Sequence, residues 1–307
     1  MIYKNKVQTI SMKEKKYYIT KIPLLLIIIG IFEIIYIIFF LQNIQLAKAG
    51  HYTPSYNYVD LKQICSKDLL SEKDYKTLFY QTGLSPHAID KLRTQPEYFQ
   101  KIKRYQDIFF RKINISSTAT LFLTKTEFID SITYAREKAF IPAPLENGYI
   151  LYTPSSSTLG WRNGHIALVV DENKKQIFEA ASIGELSEIR NYEHWTSYPA
   201  FIMLRIKPEL LNINSTLLNE VISTIKNELI NLPYSLLCGV TTPKNIPRCT
   251  KSHCAHIIWH AFLSQGIDID SNKGVIVTPE NIMKCDLLEV VQIYGVDPSL
   301  YINRIAY

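Results

Sequence analysis

Five cysteines and seven histidines are the side chains in this 307-residue chain best suited to breaking an acyl bond. One of each stands out by its setting. Cys254 lies in SHCAHIIWHAFLSQG, which reads as a helix with Ser252 as N-cap and Gly266 just past its end. That numbering puts Cys254 at the second helical position, where unpaired amide groups and the macrodipole favour a thiolate, the reactive form of cysteine. At about 100° per residue, Cys254 shares a face with Ile257, Ile258, Ala261 and Phe262. His253, His256 and His260 fall together on another side, read as surface, so a base for the thiol has to come from elsewhere in the chain.

His165 opens the run GHIALVVD, whose alternation predicts a strand with His165, Ala167 and Val169 on one face. An imidazole among apolar neighbours needs a polar partner, and Glu179 in the following QIFEAA can supply it across a hairpin. A carboxylate there would fix the tautomer and stabilise imidazolium, as the third member of a triad does. The bland alternatives are a small buried thiol and a satisfied core histidine.

The elements around these residues divide the chain. Residues 59–113 carry helical periodicity: SEKD after Leu70 starts one helix that Gly83 ends, Ser85-Pro86 starts a second, and a third covers 98–110. Beyond Pro142-Ala143-Pro144 the pattern turns to short β-branched strands in ENGYILYTP, GHIALVVD, QIFEAA and FIMLRIK. An amphipathic helix over 217–232 then precedes a loop into the cysteine helix. Three segments follow: 1–49, a cytoplasmic N-terminus plus signal peptide or membrane anchor; 50–135, a helical accessory segment; and 136–307, an α+β domain.

NGYILYTPSSSTLGWRNGHIALVVD, LPYSLLCG and HCAHIIWHAFLSQGIDIDSNKGVIVTPENI together resemble the circularly permuted, YiiX-like branch of the NlpC-type papain-like cysteine hydrolases, over about residues 145–298. The resemblance implies an antiparallel sheet with a catalytic helix, the histidine strand preceding the cysteine helix. It places nucleophile, base and orienting residue on Cys254, His165 and Glu179, and puts Tyr234 near the oxyanion. Two positions depart from the pattern: Tyr149 stands where aspartate is expected, and Ala255 where serine is common.

Three functions are open on this reading. The first is a thiol amidase or peptidase outside the membrane, with cell-wall peptide amides as substrate. The second is an acyltransferase on lipid amides or esters, of the lecithin retinol acyltransferase type. The third is a binding module that keeps the fold without turnover. None calls for a metal or other cofactor: no C-x-x-C pair occurs, and His256 and His260 lack the glutamate of a zinc hydrolase.

Charge and hydropathy say where the domain works. The formal charge is +6, yet seven lysines and two glutamates lie in residues 1–49, leaving 27 basic and 26 acidic residues elsewhere. A nearly neutral body with no basic stripe argues against nucleic acid. Residues 22–41 are twenty nearly uninterrupted apolar residues, Glu33 excepted, long enough to cross a bilayer. Lys13, Lys15, Lys16 and Lys21 precede them, which keeps the N-terminus in the cytoplasm and sends the body outward. Ala47-Lys48-Ala49 has the form of a signal-peptidase site, so cleaved signal and retained anchor both remain open. In an exported domain, Cys238 and Cys249 are expected to close a disulfide across the loop before the cysteine helix.

Overall fold

The computed structural model describes residues 23–40, 50–120, 124–130, 140–158, 161–162, 164–241 and 243–306. The N-terminal lysines, Ala47-Lys48-Ala49 and the boundary at 136 lie outside them. Helix α1, Pro23–Phe40, has a mean hydropathy of 2.7 and buries none of its residues. By length and composition it can cross a membrane, as a signal sequence also can.

The body is one compact unit. It begins with an extended strap over 50–58, in which Tyr52 N–H donates to the Gly295 carbonyl at 2.9 Å and His51 Nδ1 lies 2.7 Å from the Pro199 carbonyl. Helices α2 (Lys62–Cys65), α3 (Glu72–Thr82), α4 (Pro86–Arg93) and α5 (Tyr98–Phe109) follow. The starts of α3 and α4 are fixed as the sequence predicts. Ser71 and Asp74 form a reciprocal capping box, and Ser85 caps α4 with Pro86 in its first turn.

Two sheets follow. Strands β1 (Ile115–Thr120), β2 (Thr124–Ile129) and β4 (Ser156–Thr158) make a small sheet in the order β1-β2-β4. The larger sheet contains β3 (Ile150–Thr153), β5 (His165–Asp171), β6 (Gln176–Glu179), β7 (Glu188–Asn191), β8 (Phe201–Ile206) and β9 (Leu288–Tyr294). Its order is β7-β6-β5-β3-β8-β9, and every pairing is antiparallel. The helical segment joins this sheet: Ser85 N–H donates to Val291 O at 2.9 Å, and Ile293 N–H to Gly83 O at 2.8 Å.

Helices α6 (Pro208–Ile213) and α7 (Leu217–Thr224) lead through a π-helical turn, Ile225–Leu229, toward α8 (Cys254–Leu263), and α9 (Pro279–Met283) precedes β9. Helix α8 is apolar on nearly all sides and buried from Cys254 to Phe262, packed against β5 and β6. All members of the core fall between Leu61 and Ile305. Among the described residues the core thus lies wholly within 50–307, as expected of a unit that folds without α1. The fold is mixed α+β with antiparallel sheets, preceded by one apolar helix.

Candidate active site

The catalytic elements are held by local rules. Gly164, at φ +81°, brings the chain so close to β3 that a Cβ there would lie 2.5 Å from the Thr153 carbonyl. Only glycine fits, and the next residue, His165, starts β5 opposite Thr153. The register that pairs Leu168 with Phe178 sets Glu179 on the same face as His165, one pair further along the hairpin.

Helix α8 begins one residue later than the sequence suggests. Ser252 is held extended beside Tyr234, its N–H donating to Pro233 O and its carbonyl accepting from Ser235 N. Its hydroxyl is taken by His256 Nδ1 at 2.8 Å. The cap is therefore His253, whose Nδ1 accepts from His256 N–H, and Cys254 is the first helical residue rather than the second. The amides of the first turn still surround the sulfur.

Cys254, 6% exposed, stands within hydrogen-bond reach of the side chains of His165 and Tyr234 and lines the same cleft as His253. Burial pushes the thiol up, but the bond from His165 and the neighbouring His253 imidazole outweigh it and hold Cys254 well below the usual thiol range. Burial also pulls His165 down, and its bonds to Cys254 and Glu179 reverse this, raising it well above an ordinary histidine. The two shifts run in opposite directions, and both favour thiolate and imidazolium over thiol and imidazole. Burial and the nearby thiol keep the Tyr234 hydroxyl protonated, so it donates to the sulfur.

Glu179 is completely buried. Its Oε2 accepts from His165 Nε2 at 2.8 Å and from Trp195 Nε1 at 3.2 Å, which leaves the other imidazole nitrogen for the thiol. His194 Nε2 and Arg190 Nε stand 2.9 and 3.4 Å from Oε1, close enough for ion pairing but without good hydrogen-bond alignment. Burial opposes its charge, yet the bond from His165 and the nearness of His194 hold the carboxyl well below its usual range. Trp195 also stacks on His165, with ring centroids 5.3 Å apart.

The structure thus brings together Cys254, His165, Glu179 and Tyr234, all four residues singled out in the sequence. It adds Trp195 and His194, members of the 3-10 turn Tyr192–Ser197, which no pattern in the sequence ties to Glu179. It also adds His253. Helical projection set that residue aside, but projection does not apply to a cap outside the helix.

Two expectations are corrected, and one departure from the resemblance is placed. His256 and His260 are buried at 1% and 6%, not on the surface. The carbonyl of Lys244, 2.9 Å from His256 Nε2, requires the proton there, so both nitrogens of His256 are engaged. Cys238 and Cys249 do not form a disulfide: both are free thiols donating to the same carbonyl, Lys251 O, at 3.2 and 3.3 Å. Tyr149, at the departure from the family pattern, is a buried partner of His87 Nε2 at 2.7 Å.

Cys254 and His165 open onto a cleft of about 160 Å³. The hydroxyls of Thr124, Thr126 and Ser156 line one wall, and Leu236, Ile276 and Val277 another. Among the described lining residues no Asp, Glu, Lys or Arg is present. The arrangement provides a nucleophile, an acid/base and a narrow uncharged bed for an acyl group. No family model matches the chain, and no curated protein and no solved structure is significantly similar to it.

Proposed function

We propose that the body is a thiol-dependent hydrolase that cleaves an amide or ester through an acyl-enzyme. The observation that carries the reading is that Cys254, at the start of a buried helix, lines one cleft with a His165 imidazole that Glu179 holds at 2.8 Å. The Cys254 thiolate attacks the carbonyl carbon. The developing oxyanion meets the first-turn amides and the Tyr234 hydroxyl, a contribution typically about 3–4 kcal/mol per donor. His165 gives its proton to the leaving amine or alcohol as the carbon–nitrogen or carbon–oxygen bond breaks, forming a thioester on Cys254. Neutral His165 then takes a proton from water, hydroxide adds to the thioester, and the carboxylic acid leaves as thiolate and imidazolium re-form. Glu179 keeps the imidazole oriented throughout.

An antiparallel sheet whose histidine strand precedes a cysteine helix supports assignment to the permuted, papain-like YiiX-like branch. The lysines before α1 support a body on the outer side of the membrane, anchored or released. Amides of cell-wall peptides are the first substrate class. The aliphatic wall of the cleft favours a second reading, acyl transfer from lipid esters.

Incubating residues 50–307 with muropeptides and with membrane lipids, followed by mass spectrometry of both pools and of Cys254, separates the readings. A hydroxylamine-labile acyl mass on Cys254 with changed muropeptides supports the amidase, and with changed lipids the acyltransferase. Unchanged pools with an unmodified Cys254 would leave a binding module.

A further inference from the structure

The mouth of the cleft is unusually apolar for an exposed surface. Ile183 and Leu186 stand out on one lip, Leu237 and Val240 on a second, Val275 and Ile276 on a third, with Val275 69% and Val240 58% exposed. These lips are contiguous. Gly239, at φ +92°, lies so close to the third lip that a Cβ would come 2.3 Å from Val275 O. Leu186 bridges Pro233, and Tyr234 N–H donates to Glu185 O at 3.2 Å, tying the first lip to the segment that runs into the second. Ile183 and Ile276 continue inward as cleft lining. Scattered aliphatics on a surface need no explanation, whereas a ring of them around one opening marks a contact site.

Charge indicates the kind of contact. Residues 236–251 contain Lys244, Arg248 and Lys251 and no acidic residue, and Lys273 lies two positions before Val275. Lys244 is engaged by Asp270 at 2.5 Å. Arg248, Lys251 and Lys273 have no carboxylate partner among the described residues, and Arg248 and Lys273 are exposed. Glu185 on the first lip faces Arg190 at 3.5 Å. Aliphatic side chains flanked by unpaired cations are the composition of a surface that enters the headgroup region of an anionic bilayer. The chain also carries the means of keeping it there. Nine residues separate Phe40 from Gly50, ten steps with a reach of at most about 36 Å, so a retained α1 in a bilayer limits how far the body can move from that surface.

We propose that the rim of the cleft docks on an anionic phospholipid surface, Leu237, Val240 and Val275 entering the apolar boundary while Arg248, Lys251 and Lys273 meet phosphate. The docking itself is independent of turnover. Its consequence, that the cleft takes its acyl group from a membrane constituent, rests on the hydrolase reading.

Flotation of residues 50–307 with vesicles tests this, using phosphatidylcholine alone and phosphatidylcholine mixed with phosphatidylglycerol. The fragment should float with the mixed vesicles and much less with the neutral ones, and added salt should release it. Val240→Ser and Val275→Ser should each weaken the partitioning about tenfold, and Arg248→Gln or Lys273→Gln about fivefold. Iodoacetamide labelling of Cys254 in the same variants should keep its parental rate, showing that fold and nucleophile are intact. No flotation of the parent, equal flotation with both vesicle types, or rim variants that float like the parent would each overturn the proposal. So would a dimer in sedimentation that the rim substitutions dissolve while vesicles bind nothing, since the occupant would then be a second copy. A fragment that docks while Cys254 labels no faster than the other cysteines removes the hydrolase reading and leaves the surface. Rapid labelling without docking does the reverse.

Discussion

Burial disfavours a thiolate at Cys254 and the His165 imidazole beside it favours one, and the balance of the two fixes how the residue should respond to pH. The thiolate forms as pH rises through a lowered value, so iodoacetamide labelling of Cys254 should set in well below 9.0, the ordinary thiol value. Burial raises the thiols of Cys65, Cys238, Cys249 and Cys285 instead. At neutral pH Cys254 should therefore label at least about tenfold faster than any of them. His165→Ala should move its inflection upward, and Cys254→Ser should cut turnover by about three orders of magnitude or more with the fold intact. Turnover should fall again on the alkaline side, where His165 loses the proton meant for the leaving group. Glu179 carries both orientation and stability. Its folded carboxyl titrates below the 4.5 of a free glutamate, so its contribution is complete above that pH and is lost as pH falls through the folded value. Glu179→Ala should leave partial activity and cost about 1–3 kcal/mol in urea unfolding, because His165 and Trp195 lose a buried acceptor.

At the scale of elements, two glycines separate positioning from stability. Gly164→Ala forces a Cβ against Thr153 O at the residue before His165. It should destabilise by about 1–3 kcal/mol and also slow labelling of Cys254. Gly83→Ala sets a Cβ 2.1 Å from Ile293 O at the edge of the large sheet, so it should lower stability comparably and leave the labelling rate unchanged. The elements legible in the sequence are those with a periodic apolar signal: α3, α4, α5, α7, α8, and β3, β5, β6 and β8. Strands β1, β2 and β4 read ISSTAT, TKTEFI and SST, polar runs without alternation, and were missed. Strand β9 was missed for another reason. It buries both Glu289 and Gln292, the first paired with Arg205 and the second bonded to Ala143 N–H and Ile141 O, so its pattern does not alternate by hydropathy. The triad was legible because each member sits in such a readable element. His253, His194 and Trp195 were not, since their roles depend on a cap one residue off and on a turn that folds back on Glu179.

For the whole molecule, the net charge proved to be a property of the N-terminus, and the core a property of the body. Because every core residue among the described ones lies between Leu61 and Ile305, a chain beginning at Gly50 should unfold at the same midpoint as the full protein in detergent, monitored by intrinsic fluorescence. In intact cells, external protease should digest the body without prior lysis, as a domain beyond the membrane requires.

The strap gives the connection between tether and domain a mechanical character. Tension on the chain ahead of Gly50 falls first on the contacts of His51 with Pro199 O and of Tyr52 with Gly295 O. Both acceptors lie beside β8 and β9, at one edge of the large sheet. His165 and Glu179 lie on β5 and β6, toward the other edge, with β3 between. With α1 retained as an anchor, a pull entering through the strap would have to cross β8 and β3 before it reached the strands that aim the imidazole.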